Sequence, residues 1–117
     1  MARRRIDPGV GGAAVRAALA DGTDLATASR YLLQVLADAA PGNTLEVRVP
    51  PYGAAQVVEG PRHTRGTPPN VVEMDAATWI ALATGSLRWD DALADARVAA
   101  SGQRADLRDW LPVPWET

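Results

Sequence analysis

The chain has no cysteine, no phenylalanine and no lysine, and its one histidine is His63. Without cysteine there is no disulfide framework and no thiolate metal site, which suits a cytoplasmic protein. Without lysine there is no Schiff-base amine, no lysine general base and no P-loop lysine. All twelve basic residues are arginine, a usage that GC-rich coding favours. The formal net charge is −2, so no long-range field draws nucleic acid or an anionic membrane, and nucleic acid is not expected as a partner. No apolar run approaches the ~18 residues of a membrane span, so stable membrane insertion is not expected either. Arg3, Arg4 and Arg5 are followed by Ile6-Asp7-Pro8-Gly9, and Asp7, Arg16 and Asp21 break any run of signal-peptide length.

What is present describes one domain over residues 1–117, with residues 1–9 expected to be a flexible arm. A chain of this length buries roughly 65% of its unfolded surface and needs no metal or disulfide to fold. Val15 and Leu19, four apart, predict a helix over Val10–Ala20, broken by Asp21-Gly22-Thr23. A longer helix is expected over Leu25–Ala39, capped by Asp24 or Thr23, with Leu25, Ala28, Leu32, Val35, Leu36 and Ala39 as its buried stripe. The period then drops to 2. Leu45, Val47 and Val49 alternate with Thr44, Glu46 and Arg48 in a half-buried strand, and Ala54–Glu59 returns as the second arm of a hairpin. The stretch from Gly60 to Pro69 is a loop by composition, followed by a third short strand at Val71, Val72 and Met74.

Asp75 predicts an N-cap, with Met74 and Trp79 at the spacing of a hydrophobic staple and Gly85 at the left-handed C′ position. Asp90 and Asp91 open the next helix, whose inner face is expected at Trp89, Leu93 and Ala96. Arg97–Ser101 reads as a strand with Val98 facing in. A final helix presents Leu107, Trp110 and Leu111 and ends at Pro112. This order predicts an α+β fold, a mainly antiparallel sheet of about four to five strands with helices packed over one face.

Catalytic machinery is not evident. No G-x-S-x-G elbow surrounds Ser29, Ser86 or Ser101, and Gly9-Val-Gly-Gly has no strand before it to make a dinucleotide loop. One histidine without cysteine leaves only carboxylates for a metal, and none stands at ligand spacing beside it. No catalytic residue, metal or cofactor is therefore assigned. The loop bearing Arg62, His63 and Arg65 carries excess positive charge. Its arginines either clamp an anionic headgroup bidentately or tie the loop to Glu59, Glu73 or backbone carbonyls. Asp106 and Asp109 alternate with Arg104 and Arg108 as a surface ion-pair network.

The stretch TLEVRVPPYGAAQVVEGPRHTRGTPPNVVE, the D-x-x-T-W-x-x-L-x-x-G of residues 75–85 and the A-R-V-x-A-S-G-x-R-A-D-L of residues 96–107 resemble the sterol carrier protein family. The likeness is closest to its short, single-domain bacterial type found in actinobacteria. The resemblance covers nearly all of the chain after residue 10 and implies a sterol-carrier-like fold. It also implies a tunnel between sheet and helices for a fatty-acyl or sterol-like lipid. The same fold serves as an accessory domain in unrelated enzymes, so it supports architecture better than function.

The reading that follows is a non-catalytic binding module for an apolar or amphipathic small molecule. Its expected apolar wall is Tyr52, Val57, Val72, Trp79, Ile80, Leu87, Trp89, Leu93, Val98, Leu107 and Leu111, with Arg62, His63 and Arg65 at the headgroup. The alternative is a protein-interaction or enzyme-accessory domain with a filled core, forming a homodimer through a sheet edge or the tryptophan-bearing helices.

Overall fold

A computed structural model describes residues 4–60 and 70–116. In chain order it contains α1 (Pro8–Asp21), α2 (Leu25–Ala39), β1 (Leu45–Val49), β2 (Gly53–Val57), β3 (Asn70–Glu73), α3 (Ala76–Thr84), α4 (Trp89–Ala94), β4 (Ala99–Ser101) and a 3-10 turn at Arg108–Trp110. The result is α+β, as the pattern predicts.

The first helix begins two residues before its predicted start because Asp7 caps it. Its carboxylate accepts from the N–H groups of Gly9 (2.9 Å) and Val10 (3.3 Å), and Pro8 fills the first turn, where no N–H is needed. Gly22, at φ 73°, ends the helix in the left-handed region. Pro8 and Gly9, expected in a flexible arm, lie within α1, and the residues just before them are held. Gln34 brackets Ile6, accepting from its N–H at 2.9 Å and donating to its carbonyl at 3.0 Å. Arg5 pairs with Asp38 at 2.6 Å.

The second helix spans the predicted residues but is not capped as expected. Asp24 is left-handed (φ 56°) and makes no side-chain capping bond, while the Thr23 hydroxyl turns to Asp21 at 2.6 Å. The buried stripe is wider than predicted. Ser29, Tyr31 and Leu33 are buried with Ala28, Leu32 and Leu36, whereas Ala39 is exposed. Packing on α1, α3 and β2 at once covers more than one face of α2. The α1–α2 crossing is close: a Cβ on Gly11 would land on the ring of Tyr31.

The sheet order is β2-β1-β3-β4. β1 and β2 form the predicted hairpin, with Leu45 opposite Val57 and Val49 opposite Gly53. β3 and β4 are also antiparallel, with Val72 opposite Ala100. β1 and β3 run parallel, Leu45 beside Asn70, because the chain leaves β2 and re-enters on the far side of β1. The sheet is thus mixed, with antiparallel pairing predominant. Leu45, Val47, Val49, Val57 and Val72 are fully buried under the helices, each contributing about 1.5–3 kcal/mol of hydrophobic stabilisation. Glu46 and Arg48 point to the other face and pair at 3.1 Å.

α3 obeys its signals. The Asp75 carboxylate accepts from the Thr78 N–H at 2.8 Å, and Gly85 (φ 90°) closes the helix. Trp79 has no exposed surface, and its indole donates to the Ser29 carbonyl at 3.2 Å, joining α3 to α2. Two later expectations are corrected. α4 turns Trp89 and Ala92 inward, while Leu93 and Ala96 are exposed, because six residues offer only one i, i+3 pair to the core. The predicted final helix is a single 3-10 turn. Arg104 N–H is drawn to Asn70 Oδ1 (2.8 Å), Arg108 N–H to Asp106 (2.8 Å) and Val113 N–H to the Ala83 carbonyl (2.9 Å). Leu107 is buried, but Trp110, expected to face inward, is 36% exposed.

Candidate functional site

The structure separates the predicted wall into three groups. Val57, Val72, Trp79 and Leu107 have no exposed surface, and Ile80 and Val98 very little; all six belong to one contiguous core. Tyr52 lies half-buried against that core at the β1–β2 turn, and Leu93 stands in solvent. Leu87, Trp89 and Leu111 line one cleft of about 400 Å³, Trp89 as a buried member of the same core and the other two partly exposed. Arg62, His63 and Arg65 lie outside the described residues.

Gly85 builds this cleft. It reverses the chain after α3, and a Cβ on it would touch Pro112 at 3.5 Å, so the closing segment lies directly against the reversal. The Leu87 N–H bonds back to the Ala81 carbonyl (3.1 Å), and the Val113 N–H to that of Ala83 (2.9 Å). These bonds hold the two walls at the end of α3. Leu82, Leu87, Trp89, Leu111 and Pro112 make the apolar surface, and Arg88, Asp90, Arg108 and Asp109 contribute the polar groups.

The charges divide unevenly. Arg108 is satisfied within the protein, 2.9 Å from Asp106 and 3.0 Å from Asp90. Its pKa is raised, first by the hydrogen bond to Asp106 and then by the charges of Asp106, Asp90 and Asp109, so it stays cationic. The Arg88 side chain makes no hydrogen bond or ion pair among the described residues. The Trp89 indole nitrogen is buried and likewise unpartnered among them. A buried N–H left without an acceptor costs about 1–3 kcal/mol. The cleft thus combines apolar surface with one cation, Arg88, that is unpaired among the described residues, suiting a ligand with an oily body and an anionic group.

Of this lining the sequence reading named Leu87, Trp89 and Leu111 as wall residues, and it assigned no site role to Leu82, Pro112, Arg88, Asp90, Arg108 or Asp109. The signal at Arg108 was its alternation with acids, which gives the ion pair to Asp106 but not the one to Asp90 across the fold. Among the described residues, no group of three or more His, Asp or Glu is arranged to hold a metal, and no helix is long and apolar enough to cross a membrane.

Comparison with known proteins gives one family match. The model described as "Bacterial SCP ortholog" matches residues 21–113, from the end of α1 to the last buried residue of the closing segment. No curated protein matches the chain.

Proposed function

We propose that this chain, which belongs to the family of bacterial SCP orthologs, binds an apolar or amphipathic small molecule, such as a fatty-acyl or sterol-like lipid, without transforming it. The observation that carries this reading is the meeting of Leu87, Trp89 and Leu111 in a cleft of about 400 Å³, a volume within the ~300–1,000 Å³ of typical small-molecule sites. Burial of alkyl surface at about 25 cal/mol per Å² supplies the affinity. Arg88 orients the polar end. A cytoplasmic location goes with this reading, to be checked by cell fractionation.

Titration with fatty-acid, acyl-CoA and sterol probes, followed by tryptophan fluorescence, tests it. Saturable binding is expected, weakened about tenfold by Leu111→Ala through lost alkyl contact and several-fold by Arg88→Gln through loss of the cation. Absence of saturable binding with every probe refutes the reading.

A second reading has its own support. The inner face of the sheet, where a tunnel is expected, is occupied by Val57, Val72, Trp79 and Leu107, all without exposed surface. That favours an interaction or accessory domain with a filled core. A concentration-dependent dimer by light scattering, together with no lipid binding, selects it.

A further inference from the structure

The N-terminal stretch borders a second surface region, which shares no residue with the α3–α4 cleft. Gln34 and Asp38 fix residues 5 and 6 along α2. Two grooves, of about 470 and about 200 Å³, adjoin this stretch, and Arg4, Arg5, Ile6 and Arg30 line both. The larger also has Val10, 59% exposed, and Asp7 on its walls.

The charges here do not cancel. Arg5 is neutralised by Asp38. Asp7 spends one oxygen on the N–H groups of Gly9 and Val10 and forms no ion pair among the described residues. Arg4 has no partner among the described residues. Arg30 is the informative member. It is half-buried on α2, and its Nε donates to the Tyr52 carbonyl at 3.2 Å. That single bond fixes the guanidinium plane, yet no carboxylate among the described residues pairs with it. A partly desolvated cation is ordinarily paired. Here the plane is held in advance while its terminal nitrogens keep their hydrogen-bonding capacity.

We infer that this groove binds a small organic anion, a phosphate monoester or carboxylate carrying a short apolar group. Arg30 is its two-pronged donor, Arg4 the second cation, and Ile6 and Val10 the contact for the first carbons. Guanidinium geometry matches both anions. The apolar side chains beside it distinguish such a ligand from bare phosphate.

The test uses the full chain, backbone amide and arginine Nε–H NMR shifts, and three probes: inorganic phosphate, hexyl phosphate and phosphatidylserine vesicles. Hexyl phosphate should shift Ile6, Val10, Thr27 and the Arg30 Nε–H saturably, binding about tenfold tighter than inorganic phosphate and more weakly as salt is raised. Arg30→Met should weaken it tenfold or more, Arg4→Gln about threefold, and Arg104→Gln not at all. If Arg30→Met does not fold, Arg30→Lys, which keeps charge but loses the fork, should still weaken binding at least threefold. The inference is overturned by any of three results: no saturable shift, undiminished binding in the folded Arg30 variant, or a response to vesicles alone. None of these results bears on lipid binding at Trp89, which fluorescence reads separately.

Discussion

Residues 75–85 and residues 102–112 start with similar resources. Each offers nine residues between its first position and a glycine or proline stop, and each carries a tryptophan and a leucine three positions apart. The first is a helix and the second is a single 3-10 turn. Both are below the ~12–15 residues at which a helix is stable alone, so the ends and the surroundings decide. Asp75 caps α3 and Gly85 closes it. In the closing segment Gly102 stands where a cap is needed, Asp106 takes the Arg108 N–H two residues on, and Asn70 takes that of Arg104. Amphipathic spacing is necessary for a short helix; unclaimed amides are the second requirement.

The largest expected effect comes from removing the anchor of the helical region. Trp79→Ala should cost about 3–5 kcal/mol in denaturant unfolding, since it opens a cavity and removes the indole bond that joins α3 to α2. The closing segment should respond unevenly. Leu107→Ala should cost about 2–5 kcal/mol, and Trp110→Ala less than about 1. Equal losses at the two positions would restore the helix that spacing alone predicts. Asn70→Ala, which frees both the Thr44 carbonyl and the Arg104 N–H, should cost about 1–3 kcal/mol and speed hydrogen exchange at Arg104.

The smallest effect tests the cap itself. Asp75→Ala should cost about 1 kcal/mol at neutral pH. The Asp75 pKa is lowered, first by the backbone N–H of Thr78 and then by that residue's side chain, with the charge of Arg97 adding to it. A carboxylate with a depressed folded pKa stabilises above its unfolded value of about 3.9. The gap between wild type and variant should therefore be full at pH 7 and close as pH falls below about 4 and through the lowered folded value. A gap that persists in acid would show that the cap works through something other than its charge.

The sequence announced those elements whose partners lie nearby in the chain. The span of α2, the alternation of β1 and the two ends of α3 all follow from residues within a turn or two. The extra burial of Ser29, Tyr31 and Leu33 was not legible, because α1, α3 and β2 all press on α2 and no single periodicity encodes several neighbours. The held stretch at residues 5–6 depends on Gln34 and Asp38, about thirty positions away. The candidate cleft was half legible. Leu87, Trp89 and Leu111 were named for their apolarity, but Arg88 gains its place only when the chain reverses at Gly85. Arg30 carries no local signal of a role, and only the Tyr52 carbonyl makes it a fixed donor.

The crossing of α1 over the Tyr31 ring has a bearing on relatives of this chain. Gly11 is a spacer, and its missing side chain sets how closely the two rods approach. Positions 11 and 31 therefore form a single hereditary unit. Lineages that acquire a methyl at the first should shrink the ring at the second, so this pair should leave a covariation signal independent of any ligand.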